Sequence, residues 1–573
     1  MKTIPLFLIA TFLLFPVYSY SAPPAPPPPS SPSGSPPPST LGAMRISLLD
    51  GDVQIKTEET GDWVPASINM PLRDGDQLWV PEGGRTELQM RDGSVLRLDQ
   101  QTALDILAVG QDSFQIYLAE GRIFANFRGL RGTLLQVDTS VSSVRVYDNA
   151  VFRADVSGDG YAEISVYRGS VYAESQDGKT TVAEGNILSL KGDNYAEISA
   201  LGPPDEWENW NRERDRKYAQ RRPSSPYLPE ELQTYSADFD ENGKWVRVPQ
   251  YGYVWTPTVV VSAEWAPYRL GRWAWIGGDY VWVSYEGWGW APYHYGRWAF
   301  VGSVGWCWVP PRRGAVYWGP GFVGWVQTPT YVSWVPLAPG EIYYGHGYYG
   351  PHSVNIANVN VANINIVYRN IRVRNAVTVI HHDTFVTGRH VDFHIRENPF
   401  LRERIHIGRP DIRPERATFM PVVREIPHGH RPPEAIRDIR VREIRERRPL
   451  VRERESSVFG RETPHKEMTL KPREGKPAER GVEKAREHWP RPPEREIGKP
   501  REPRSGEKGL ARPKEIGKPR EPRPGDKELG RLRETPPKAE FEKPAKERRV
   551  PEKGGDRPKG GRAADKEVDK RRE

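Results

Sequence analysis

The chain has 573 residues, with 83 Lys and Arg against 75 Asp and Glu for a net charge of +8, and it carries 19 Trp, 25 Tyr and one Cys. A single cysteine, Cys307, excludes an intramolecular disulfide and a multi-cysteine zinc site. Charge is concentrated after residue 400 and most Trp and Tyr fall between 207 and 350, so the basic balance describes a tail more than a folded surface.

Lys2, the apolar run from Ile4 to Val17 and the small residues Ser19, Ser21 and Ala22 predict a secretion signal over 1–21. The cut is placed after Ser21, because Pro23 would obstruct a cut after Ala22. The run falls short of the roughly 20 apolar residues of a bilayer span, and an uncleaved anchor is the alternative. With no cysteine near the cut, lipid anchoring is not expected. Export favours an envelope protein, a glycan or lipid headgroups over nucleic acid as partners of a basic chain, with peripheral membrane association or none. Residues 22–41, almost all Pro, Ser, Ala and Gly, read as an extended, disordered spacer.

From 42 to 200 short period-two segments such as VQIK (53–56), FQIYL (114–118) and EISVY (163–167) alternate with Asp-Gly turns at 50–51, 74–75, 92–93, 159–160 and 177–178. That pattern predicts an antiparallel all-β domain. The order LLDGDVQI (48–55), LRDGDQLWV (72–80), GGRTELQMRDGSVLRL (83–98), YLAEGRIFANF (117–127) and ISVYRGSVYAES (164–175) resembles a FecR periplasmic domain, with Gly51, Gly75, Gly93, Gly121 and Gly169 at the family's turn positions. The resemblance implies a ligand-sensing or assembly fold. FecR regulators carry a cytoplasmic anti-sigma segment before a membrane helix. Only Met1, Lys2 and Thr3 precede the apolar run here, and the family's late Gly-Thr is replaced near Asp148-Asn149, so direct sigma-factor control is not expected.

Residues 201–235 read as a charged helical connector, with Asp205 as N-cap and Trp207 and Trp210 at helical spacing for docking. In the next block, 236–345, EWAPYRLGRWAW (264–275) returns as GWAPYHYGRWAF (289–300), a period of 25 residues, while YVW occurs at 253–255 and 280–282. Each unit reads as strand, turn, strand, with Pro267 and Pro292 stopping a strand and forbidding a helix. Large aromatics can hold such a repeat together without disulfides, so a core role is preferred for them. The alternative makes Trp265, Tyr268, Trp273, Trp290, Tyr293 and Trp298 platforms for a carbohydrate or peptidoglycan ligand. The block, with GKWVRVPQYGYVWTP (243–257) and GWVQTPTYVSWVPLAPGEIYY (324–344), resembles an uncharacterised tryptophan-rich domain found behind FecR-like domains, which implies this architecture and no activity.

Residues 346–398 alternate Asn with Val or Ile (NVNVANINIV, 358–367) and predict further strands. His390, Asp392 and His394 share a strand face at i, i+2 and i+4, close in sequence to His381, His382 and Asp383, and are the metal candidates, although solvated strands carry such residues routinely. From 399 to 573 Arg, Lys, Glu and Pro dominate, and EIGKPREPR (496–504) recurs at 515–523. A disordered, solvating tail is expected, with a short helix around Glu434–Arg448.

No nucleophile elbow, HExxH helix, phosphate loop or dinucleotide motif occurs in a fitting context. Glu264 and Glu286 flank the aromatic repeat as a glycosidase-like pair with nothing in the sequence to set their separation. The expectation is therefore a mainly β, exported, non-catalytic scaffold or sensor of the periplasm or cell surface, with no cofactor. Cys307, between Trp306 and Trp308, is read as a buried inert thiol.

Overall fold

The computed structural model describes residues 40–192, 195–220, 226–258, 264–388, 398–437, 441–451 and 468–472. The predicted signal, nearly all of the Pro-rich spacer and the chain beyond 472 lie outside the described residues.

The first domain is two sheets joined by one strand. Ser113–Phe127 runs 15 residues. Its first half pairs with Thr102–Val109 and Leu134–Asp138, and its second half with Val95–Leu98 and Ala150–Val156. The change of sheet falls at Gly121, whose φ is 97° and where a Cβ would lie 2.4 Å from Thr102 Oγ1. Gly121 therefore marks a bend inside a strand rather than the turn that the resemblance implied. The glycines of all five Asp-Gly turns have positive φ, as their sequences demand. Pairing is antiparallel throughout this domain except where Leu134–Asp138 runs parallel to 113–117 and Lys471–Pro472 joins Tyr195–Ala200. Between the sheets Ile46, Leu78, Leu104, Ile116, Phe152 and Ile164 are fully buried.

The connector helix Glu206–Gln220 is capped by Asp205, whose Oδ1 accepts from Glu208 N at 2.7 Å. Trp207 and Trp210 stack, and Trp207 packs on Phe124, Val151 and Tyr167. Beneath the helix, Arg97 bonds Glu87 at 2.7 Å and Asp215 at 2.6 Å, and Arg214 reaches Glu87 at 2.7 Å. Burial alone would raise the Glu87 carboxyl, but Arg97 and Arg214 hold it well below the usual carboxylate range.

Among its described residues the aromatic block contains four hairpins: Gly243–Val248 with Gly252–Pro257, Gly271–Ile276 with Asp279–Ser284, Arg297–Val301 with Gly305–Val309, and Val323–Gln327 with Tyr331–Pro336. In each, one Trp faces another directly across the strands: Trp245 and Trp255, Trp273 and Trp282, Trp298 and Trp308, Trp325 and Trp334. The first three open with Gly-x-Trp, and a Cβ on Gly243, Gly271 or Gly296 would lie 2.3–2.7 Å from the partner strand's indole. Glycine makes room for that ring. The structural repeat is thus this hairpin, present four times, of which the 25-residue period captured two.

Three expectations need correction. Pro292 does not forbid a helix, because Trp290–His294 is a single helical turn with Pro292 in its first turn, where an N–H has no intrahelical acceptor to lose. The segment 358–367 is not a strand. Asn355 and Asn360 turn their side chains onto Ala357 N and Ala362 N, capping short 3-10 turns, and this local bonding competes with a ladder. Only Ser353–Asn355 and Thr378–His381 are strands in the described part of 346–398. The described part of the region after 398 also lies on the folded body, with Phe400, Ile412, Ile436 and Met468 buried at intervals. These sparse apolar anchors, with main-chain hydrogen bonds between them, order a sequence whose bulk composition is that of a disordered chain.

The two domains share one core. Arg45 Nη1 and Nη2 reach Asn69 Oδ1 and Asp238 Oδ2, each at 2.8 Å, and the guanidinium sits over Tyr235 and Trp290. Asn69 Nδ2 in turn donates to the carbonyl of Glu286 at 2.7 Å.

Candidate peptide-binding face

The aromatic candidates lie within the core. Tyr268, Trp273, Trp290, Tyr293 and Trp298 are buried and Trp265 is half-buried. Their polar atoms are turned inward: Tyr268 O–H donates to Tyr293 O at 2.8 Å, Trp298 Nε1 to Pro292 O at 3.0 Å and Trp265 Nε1 to Glu286 Oε1 at 2.9 Å. The five buried rings present no open face to a sugar. Glu286 also accepts from the Tyr293 hydroxyl, and burial pushes its carboxyl up to about 7 despite these bonds. Glu264 is exposed, so the two carboxyls occupy unlike environments. Burial raises the Cys307 thiol to about 12.

His390, Asp392 and His394 fall outside the described residues. His381 Nδ1 accepts from Asp383 N as the cap of the helix His382–Thr387. Among the described residues no group of three or more His, Cys, Asp or Glu is placed to hold a metal.

A different surface gathers polar side chains. On the second sheet of the first domain, the pairing register lines up Lys56, Gln77, Asp105, Tyr117, Asp138 and Ser143 across six strands. Beside this row stand Gln54 opposite Trp79, and Gln115 opposite Gln136. The alternate residues Ile55, Leu78, Ile116, Val137 and Val144 enter the core, so these polar groups share the outward face. Gln77 Nε2 donates to Asp105 Oδ1 at 2.8 Å, and Gln115 Nε2 to Asp138 Oδ2 at 2.7 Å. Burial raises Asp105 to about 7, and its Oδ2 has no hydrogen-bond partner among the described residues. Asp138 is raised by burial too, eased by Gln115, Ser143, Gln136 and the charge of Arg448.

What buries this face is the chain's own residues 428–437 and 441–451. Gln54 Nε2 and Trp79 Nε1 donate to the carbonyl of His430 at 2.5 and 3.0 Å. Ile436 packs against Trp63, Trp79 and Ala103. Gln115 Nε2 donates to the Arg448 carbonyl at 2.6 Å. The Gln136 amide reads the main chain twice, donating to Pro449 O at 3.2 Å and accepting from Val451 N at 3.1 Å. Arg448 reaches the carbonyls of Thr139 and Ser140, both at 3.3 Å, while Asp52 faces His430 and Arg424. Sequence reading missed this site because glutamine and aspartate alternating with Ile and Val look like an ordinary solvated strand face. The occupying segment lies more than 300 residues away.

Two family models match the chain: FecR protein at residues 76–172 and a family of unknown function (DUF6600) at 236–341. The chain therefore carries a FecR domain followed by a tryptophan-rich DUF6600 domain. Gln77, Asp105, Gln115, Gln136 and Asp138 all lie inside the FecR match. Among solved structures it is similar to two crystal structures described as a "putative anti-sigma factor" from Parabacteroides distasonis, at 21% and 20% identity. Each comparison covers 22% of this chain and 59% of the other, with a TM-score of 0.20. No curated protein matches.

Proposed function

We propose that the chain is an exported, non-catalytic sensor or scaffold of the bacterial cell envelope, working through polypeptide contacts made by its FecR domain. The observation that carries this reading is the amide-and-carboxylate face of the second sheet, whose Gln54, Trp79, Gln115 and Gln136 address main-chain groups of a segment lying across it. Main-chain bonds supply affinity to a polypeptide partner and a pocket such as Trp63–Trp79 supplies selectivity. The tryptophan domain stiffens this arrangement through its shared core and, with its ring faces buried, is a support rather than a sugar platform. The FecR family match supports a regulatory role, and the reading of residues 1–21 as a secretion signal supports delivery to the periplasm or the cell surface. No helix among the described residues is long and apolar enough to cross a membrane.

The test is fractionation of cells expressing the full chain, with surface proteolysis, followed by lysine cross-linking and mass spectrometry. Recovery in an envelope fraction, with cross-links from the FecR domain to another envelope protein, is expected. Recovery in the cytoplasm, or an envelope protein forming no intermolecular cross-links, overturns the proposal.

A further inference from the structure

We infer that the outward face of the second FecR sheet is a binding site for an arginine-bearing segment of short helical turns from a second polypeptide, and that residues 428–437 and 441–451 hold it closed in cis. The inference rests on the reading that the chain acts through polypeptide contacts, and it names the partner chemistry and its control.

Three features of the contact point to a recognition site rather than to ordinary domain packing. First, the side chains of Gln54, Trp79, Gln115 and Gln136 bond to carbonyls or an N–H at the ends of the segment's short helical turns, groups that any polypeptide can offer there. Second, a single aliphatic side chain, Ile436, anchors the described part of 431–437 in an apolar pocket, with Pro432 also buried. Ile436 sits among Trp63, Trp79 and Ala103, whereas neighbouring Glu434, Ala435 and Arg437 are exposed. Third, the charges are complementary. Asp52 faces His430 and Arg424, and the charge of Arg448 acts on Asp138, while Arg442 and Arg447 pair with Glu446 and Glu443 of their own helix. The short helix Val441–Arg447 lies over the strand that bears Asp105, whose Oδ2 is buried without a partner among the described residues. The partner is thus a segment with an aliphatic anchor followed, 12 residues further on as between Ile436 and Arg448, by an Arg-Pro step like Arg448-Pro449.

The cis arrangement sets a threshold. A tethered segment has an effective concentration on the order of 1 mM. If the free segment bound at about 10 μM, the tail would occupy the face about 99% of the time and an outside segment would bind about 100-fold more weakly than to an open face.

The experiment uses the full chain and a fluorescent peptide of sequence 428–451. Ile436→Asp removes the anchor and opens the face, with retention of the wild-type near-UV spectrum confirming the fold. The peptide is expected to bind the I436D chain at least 10-fold more tightly than the wild type, and to lose binding when Gln115→Ala and Gln136→Ala are added. A peptide carrying Ile436→Asp should not bind. Equal binding to wild type and variant would show that the tail closes nothing, and absence of binding to a folded variant would remove the site itself. Should the variant not fold, limited trypsin digestion of the wild type replaces it. Excess peptide is then expected to speed cleavage within 437–448, and an unchanged rate overturns the inference. None of these readouts depends on finding an envelope partner in cells, so this inference and the functional proposal can fail separately.

Discussion

Replacing Glu286 with Gln tests whether a carboxyl is buried without a compensating charge in the core of the tryptophan domain. The Glu286 carboxyl is buried, is hydrogen-bonded only by the neutral donors Trp265 and Tyr293, and titrates near 7 instead of its ordinary 4.5 because burial disfavours the charge. A folded-state value above the unfolded one makes the folded chain hold a proton that the unfolded chain releases. Stability from this group is therefore complete below about pH 4, falls as pH rises from 4.5 to 7, and is level above 7. The loss saturates near 3 kcal/mol, from a shift of about 2.5 units at 1.36 kcal/mol each. Gln keeps an acceptor for Trp265 Nε1 and presents an amide to the Tyr293 hydroxyl without ever ionising. Asp76 and Asp105 are raised to about 7 by the same burial, so the wild type alone will not isolate Glu286. The difference between the two chains will. Urea unfolding at pH 4, 5, 6, 7 and 8 should show E286Q gaining relative to wild type by up to about 3 kcal/mol across this range. A difference that stays flat with pH refutes the buried, uncompensated carboxyl.

Three further perturbations follow from the packing. Trp298→Ala and Trp273→Ala should each cost about 3–5 kcal/mol in thermal or denaturant unfolding, with Trp298 the costlier because its bond to Pro292 O is also lost; an unchanged melting temperature would contradict their core placement. Asp215→Asn should cost about 3–5 kcal/mol by leaving Arg97 buried beside a single carboxylate, and faster proteolysis within 206–220 should accompany it. Gly296→Ala should lower the melting temperature by several degrees, since its φ is 66° and a Cβ would lie 2.4 Å from Val309 O, whereas Gly302→Ala, with open space around it, should leave it unchanged.

Local chemistry with a single conformational solution was legible in the sequence. The Asp-Gly pairs are turns because their glycines need positive φ, and Asp205 caps its helix because nothing else there could. The tryptophans were legible as core from their repetition, but their pairing was not. Trp255 and Trp282 share YVW but Trp308 and Trp334 lack it, and only the register shows that each of the four opposes the Trp of a preceding strand. NVNVANINIV misled because period two is also what an asparagine-capped chain of short turns produces. The candidate face was illegible for a different reason. Its character is set by what covers it, and the covering segment is identified by one isoleucine and a set of carbonyls that no composition can reveal.

The path of the segment after residue 398 limits what release of the face could do. Residues 406–421 are held on the tryptophan domain by bonds of the same kind: His406 N to Trp325 O at 2.8 Å, Gln327 to both Asp411 N and Asp411 O, Tyr280 O–H to Ile412 O, Arg272 to Ala417 O and Tyr285 O–H to Pro421 O. Arg409 adds a stack on Trp275 and an ion pair with Asp279. Those contacts lie outside the FecR face and do not compete with a partner there. A partner that displaces 428–451 would leave 406–421 seated, so the change is confined to chain beyond Pro421. In the peptide-excess digestion, new tryptic cuts should therefore begin at Arg424 and continue through Arg447, while Arg416 keeps its original rate. Early cutting at Arg416 would mean that the two halves of the strap leave together, and the FecR face would then be coupled to the tryptophan domain rather than independent of it.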